Sequence, residues 1–281
     1  MIKVLHHPIL SRLLIGIYLL AIGFFAIFPF FWLAVSSLKP PSEIFSEAPT
    51  LLPQTLHLDG YKQILSSDSN FLTAMKNSLV VGSATAFLSC LLALFTAYSL
   101  MQFKLPGSRP FAISLFMTQM FPQAVILVPL FILFQDYNLY DTLPALVLAN
   151  MAFSIPVAVW LLMGFMESIP SELIDAARID GATHFGLMFR IIVPVSQNGI
   201  IAVIMWLFIR VWGELLFAVT FTTSQDTQTL QVFLAAFRGE YNTDWSGMLA
   251  TSTLTALPVI IIFLLLQRFF ASGLVSGAIK G

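Results

Sequence analysis

Apolar residues fall in long runs along this chain, with most of the polar and charged residues gathered between them. A bilayer core of about 30 Å takes roughly 20 apolar residues as a helix. Six stretches reach that length: 13–35, 74–101, 110–134, 143–166, 199–221 and 248–267. The expected fold is therefore all-α, a polytopic membrane protein of six transmembrane helices in a single transmembrane domain over residues 1–281. The first run follows Lys3 and Arg12, as a secretory signal's would. Its length from Leu13 to Val35 exceeds the roughly 7–15 apolar residues of a cleavable segment, so it is read as a retained first span.

Composition supports lipid as the solvent. Hydrophobic residues make up 58% of the chain and charged residues 10%, against about 25% charged in soluble domains. A net charge of -1 without a basic run argues against a nucleic-acid partner. Cys90 sits in an apolar stretch and reads as a small packing residue. His6, His7, His57 and His184 have no Cys or carboxylate at ligand spacing, so no metal site is expected. Neither a phosphate-binding GxxxxGK[ST] loop nor a nucleophile-base or carboxylate-pair cluster occurs, so no catalytic residue and no bound cofactor are expected.

Loop charges set the orientation. Lys3, Arg12, Lys104, Arg109, Arg178, Arg190, Arg268 and Lys280 lie on one face, whereas Lys39, Lys62, Lys76 and Arg238 lie on the other. Basic loops stay inside, which places both termini and the 167–198 loop in the cytoplasm. Within the second span, Ser89, Ala93 and Ala97 recur at every fourth position, as do Gly82, Ala86 and Cys90. Small residues at that spacing let helix backbones approach closely in lipid. Pro122, Pro129, Pro156 and Pro258 remove backbone donors inside three further spans.

The 167–198 loop carries the most information. Pro170 and Glu172 mark a helix start, since proline suits the first turn and a carboxylate suits the positive helix end. Gly181 marks its stop. Leu173, Ala176 and Ala177 fall at i, i+3, i+4, and Asp175 stands one turn before Arg178. The spacing predicts a short amphipathic helix, too short to span, with a second helix running from Thr183 toward the fifth span. Two readings fit such a helix: a headgroup-bound interfacial element, or a surface for a protein partner. Its acidic bias and central alanines favour the partner.

Asp175-Ala-Ala-Arg-Ile-Asp-Gly-Ala182, followed by Phe189 and Pro194, resembles the "EAA" motif of binding-protein-dependent ABC importer permeases. There the motif forms a coupling helix that docks on the ATPase subunit. The resemblance implies ATPase coupling for Glu172, Asp175, Ala176, Ala177, Arg178, Asp180, Gly181 and Ala182, with Asp175 replacing the family's usual Glu. Ser36-Ser-Leu-Lys-Pro40, Asn77-Ser-Leu79, Ala97-Tyr98 with Pro106-Gly107, and Tyr140-Asp-Thr142 are similar to the carbohydrate branch of that family. So is the ending Leu257-Pro258, Gln267-Arg268 and Gly273-Leu-Val-Ser-Gly-Ala-Ile-Lys-Gly281; the maltose-system inner subunit is the nearest type. The implied partners are a second permease, two ATPase subunits that bind ATP and Mg, and an extracytoplasmic solute-binding protein. The implied cargo is a sugar or polyol.

Candidate path residues come from the spans themselves. Ionisable groups in lipid cost several kcal/mol unless paired or hydrated, so Arg210 and Glu214, one turn apart, are expected to face the bundle interior. They either neutralise each other or line the path together with Trp212, whose ring would stack on a sugar. Gln119, Gln123 and Asn150 are further candidates. An ABC permease for a non-sugar solute is the nearer alternative. An ion-coupled transporter would want more intramembrane carboxylates and an inverted repeat.

Overall fold

The computed structural model describes residues 8–66, 68–103, 106–239 and 241–278. Lys3, Lys104 and Lys280 of the charge argument, His6 and His7, and the last residues of the C-terminal resemblance lie outside them. The fold is helical, and its contacts separate two compact units: Met1–Ser69 with Ala236–Ala256, and Asn70–Ala235 with Leu257–Gly281. The long helices are α1 (Pro8–Ser36), α2 (Phe71–Gln102), α3 (Ser108–Met117), α4 (Leu127–Asp136), α5 (Leu143–Glu167), α6 (Ser171–Ile179), α7 (Gln197–Trp212), α8 (Leu216–Phe221) and α9 (Trp245–Ala278). Among the described residues four helices are long and apolar enough to cross a bilayer, and two bent pairs bring the number to six.

In the first unit α1 leaves its apolar side chains exposed, from Leu13 to Phe31. Its end is tied to the polypeptide that follows. The buried Lys39 ammonium lies 4.8 Å from the Trp32 ring centroid and donates to the Thr50 carbonyl. Glu43, also buried, accepts from the Thr50 hydroxyl and from the Gln54 N–H at 3.2 Å. Gly60 lies against the Ser246 backbone so closely that a Cβ would stand 2.3 Å from the Ser246 carbonyl oxygen.

The second unit is built around α2, α5 and α7. The small residues of α2 are its buried stripe: Gly82, Ala86, Ser89, Cys90, Ala93 and Ala97 all face protein. At Gly82 the missing side chain makes room for a ring, because an added Cβ would sit 3.0 Å from the Phe208 side chain. Gly199 is tighter still, with 2.4 Å to the Phe165 ring. Thr142 starts α5, its hydroxyl accepting from the Ala145 N–H at 3.4 Å, with proline in the first turn.

Two of the expected spans are broken rather than straight. The third, expected over 110–134, divides into segments that meet at 91° between Met120 and Gln123. Phe121 is extended (φ -78, ψ 129) because the proline that follows excludes the helical conformation, and Pro122 offers no donor to continue the ladder. Pro129 sits in the first turn of α4, where its missing N–H is cheap. The fifth, expected over 199–221, ends at Trp212 and restarts at Leu216. The segment before it, His184–Val195, meets α7 at 78°. Pro194 has no N–H for the Arg190 carbonyl, and the backbone widens into a π-helix over Met188–Ile192.

Candidate functional site

The helix expected in the 167–198 loop is α6, and its ends are set by the expected residues. Pro170 takes the N-cap position and Glu172 lies in the first turn. Gly181 adopts φ +82. The Gly181 N–H donates to the Arg178 carbonyl and the Ala182 N–H to the Ala177 carbonyl, both at 3.0 Å. That pair of bonds is the Schellman closure, and it needs a left-handed residue where Gly181 stands. Asp175 and Arg178 form an ion pair at 3.8 Å.

The faces differ from expectation in one respect. Ala177 is buried, but Leu173 and Ala176 are exposed, as are Ile179 and Phe185 (86% and 70%). With Ala177 turned inward, the helix offers Leu173, Ala176 and Ile179 outward, beside the carboxylates of Glu172, Asp175 and Asp180. The loop is held by the end of α2. Arg178 donates to Gln102 Oε1 at 2.8 Å, and the Tyr98 hydroxyl donates to the His184 carbonyl at 3.2 Å. Thr183 then caps the next helix, accepting from the Gly186 N–H at 3.2 Å.

The path candidates gather at the two breaks. Arg210 stands in the last turn of α7 and Glu214 in the gap after it. Among the described residues no ion pair within 4 Å joins them. Arg210 donates to the Ser154 hydroxyl at 3.2 Å. The Glu214 carboxylate turns forward instead and accepts from the Phe217 N–H at 2.8 Å and the Ala218 N–H at 3.3 Å, capping α8. Gly213 and Leu215 on either side are exposed.

Trp212 is 5% exposed, and its ring stacks on Phe208 at 5.4 Å. Beside it Asn150, Ser78, Glu214 and Thr229 line a cavity of about 10 Å³, room for about one water. Asn150 donates to the Leu146 carbonyl at 3.0 Å, while its carbonyl oxygen has no partner among the described residues. Gln119 and Gln123 flank the Phe121–Pro122 break, both half-buried.

Sequence reasoning placed Asn77, Ser78 and Asp141 only within family-like motifs and gave them no role, which the structure supplies. Asn77 donates to the carbonyls of Asp226 (2.8 Å) and Gln228 (2.9 Å), and Ser78 accepts from the Leu230 N–H at 2.8 Å. Asp141, at φ 58, accepts from the N–H groups of Thr223 (2.8 Å) and Ser224 (3.1 Å) and from the Thr227 hydroxyl. Burial raises its pKa, but these hydrogen bonds outweigh burial and hold the carboxyl at about 2.

A helical bundle with broken spans and a short exposed helix on one loop matches a known family. The profile described as "Binding-protein-dependent transport system inner membrane component" covers residues 63–276. The chain belongs to this family. The permease is 35% identical over 256 residues to the inner membrane ABC transporter permease protein YcjP of Escherichia coli (strain K12), covering 91% of each chain. It is 32% identical over 264 residues to the trehalose transport system permease protein SugB of Mycobacterium tuberculosis, covering 93% of this chain and 95% of the relative. Its fold matches a chain of a bacterial ABC transporter involved in import of the acidic polysaccharide alginate. There the TM-score is 0.75 and the identity 21%, over 96% of this chain and 98% of the other.

Proposed function

We propose that this permease moves a sugar or sugar-like solute into the cytoplasm by alternating access, as one transmembrane domain paired with a second permease. ATP and Mg bind two separate ATPase subunits, and a solute-binding protein delivers the cargo on the extracytoplasmic side. Both termini and α6 face the cytoplasm, in keeping with the charge bias of the loops. The observation that carries this reading is α6: a capped, protruding helix with Leu173, Ala176 and Ile179 outward and Ala177 seated on the permease. Closure of the ATPase pair draws α6 inward and opens the bundle outward. The trehalose permease relative, at 32% identity, supports the cargo class.

Arg210, Glu214, Gln119 and Gln123 border the path, with Asn150 and Trp212 behind them. Broken backbone at membrane depth persists where protein or a water-filled route surrounds it, and transporters build solute sites at such discontinuities. Arg210 uses one donor on Ser154 and keeps others for solute oxygens. The water-sized cavity behind Trp212 supports a wall rather than a sugar pocket in this conformation.

Uptake and ATP hydrolysis by the complete complex in liposomes test the reading. Wild type should hydrolyse ATP faster when loaded binding protein is added. Gly181→Asp and Asp175→Lys should assemble and lose that stimulation. Unchanged stimulation in both would remove α6 as the coupling element.

A further inference from the structure

We infer that α2, and not the chain-continuous fifth span, carries movement of the α6 loop across the membrane to the 222–233 segment. The inference rests on the docking role proposed for α6. Two routes join these regions within the second unit. Following the chain, motion must pass a π-helix at Met188–Ile192, a 78° bend at Ser196 and the gap at Gly213–Leu215. Each is a place where a change in backbone angle is absorbed.

The other route is α2. It runs unbroken through Phe71–Gln102 with no proline inside. Every other span among the described residues carries either an internal proline (Pro29 in α1, Pro156 in α5, Pro258 in α9) or a break (the 91° bend between α3 and α4, the gap after α7).

Both ends of α2 grip the loops in question. At one end Gln102 accepts from Arg178 (2.8 Å), Tyr98 donates to the His184 carbonyl (3.2 Å), and Phe95 meets Phe189 edge-on at 6.2 Å. At the other, Asn77 donates to two carbonyls and Ser78 accepts the Leu230 N–H, while Phe71 meets Phe233 edge-on at 5.9 Å. Asn77 grips backbone rather than side chains, so its hold fixes the path of residues 226–228. From Asn77 to Tyr98 the helix spans about 31 Å, the thickness of the bilayer core. A straight helix held at both ends either moves both loops or breaks these bonds. Asn77, Ser78, Tyr98 and Gln102 are therefore positioning residues that act on the outer segment through α2.

The test uses the complete complex in liposomes, measuring hydrolysis with and without loaded binding protein. The double variant Asn77→Ala with Ser78→Ala should assemble, keep its basal rate and lose stimulation at least fivefold. Ser78→Thr, which keeps the hydroxyl acceptor, should retain it. Tyr98→Phe removes one hydroxyl without disturbing packing and should lower stimulation from the other end. Leu215→Gly, which loosens the fifth span, should leave stimulation unchanged. Full stimulation in both the Asn77/Ser78 and Tyr98 variants would overturn the inference, as would loss confined to Leu215→Gly. Gly181→Asp measured alongside separates the claims. If it too is stimulated normally, the docking role fails; if it alone fails, only the α2 route is wrong.

Discussion

The α6 loop and the two broken spans are both interruptions of helical structure, but they are interrupted by different means. In the loop each device acts on its own neighbours: Pro170 opens the helix, Glu172 suits its first turn, and Gly181 closes it through bonds to Ala177 and Arg178. In the spans Pro122, Pro194 and Glu214 also act on their own neighbours, but groups far away in sequence join them. Arg210 reaches Ser154, 56 positions away, and Trp212 is buried in the bundle. A locally encoded element can protrude and still keep its shape, which suits a docking surface. An element shaped by its neighbours changes when they move, which suits a path that opens and closes.

Four substitutions sharpen this contrast, in descending order of effect. Gly181→Val places a branched side chain at φ +82, strains the closure of α6 by at least about 1 kcal/mol, and should lower stimulated hydrolysis more than tenfold while the bundle still assembles. If stimulation survives, the shape of the loop matters less than the comparison holds. Gly199→Ala brings a Cβ to 2.4 Å from the Phe165 ring; overpacking of this kind costs about 1–3 kcal/mol. Thermal unfolding of the purified complex should move down by several degrees with stimulated hydrolysis per folded complex retained.

Glu214→Ala removes the carboxylate that caps α8, a loss of about 1 kcal/mol. Solute uptake should fall several-fold, with ATPase assembly intact. Equal loss of assembly would show that Glu214 serves the fold alone. The smallest effect belongs to Asp141. Its folded pKa of about 2 lies below the ordinary 3.8, so its contribution is present above about pH 4 and is lost as pH falls toward 2. Exchange of the Thr223 and Ser224 amides, measured across that range, should accelerate as Asp141 protonates, and Asp141→Asn should flatten the response.

The helical runs were legible because burial in lipid imposes one long apolar signal per helix, and each of the six apolar runs holds helical structure. The α6 helix was legible for the reason given above: its signals lie within a dozen residues. The breaks were only partly so. Pro122 announced a lost donor, yet the 91° angle depends on what packs around Met120–Gln123, and nothing near Gly213 announced that Glu214 would cap a new helix. Contacts made across the fold left no local trace at all. Asp141 meets Thr223 82 positions away, and Ser78 meets Leu230 152 positions away. No periodicity or motif encodes such a pair.

The central claim is that α6 is the surface that meets the ATPase. Cross-linking tests it directly, because Cys90 is the one native cysteine and can be removed. In a Cys90→Ala background, Ala176→Cys alkylated with a maleimide photocrosslinker and irradiated in the assembled complex should give a permease–ATPase adduct that blocks stimulated hydrolysis, while Ser224→Cys treated the same way should give none. A complex in which Ala176→Cys gives no adduct and hydrolysis is still stimulated, or in which the adduct forms from Ser224→Cys, would contradict the account.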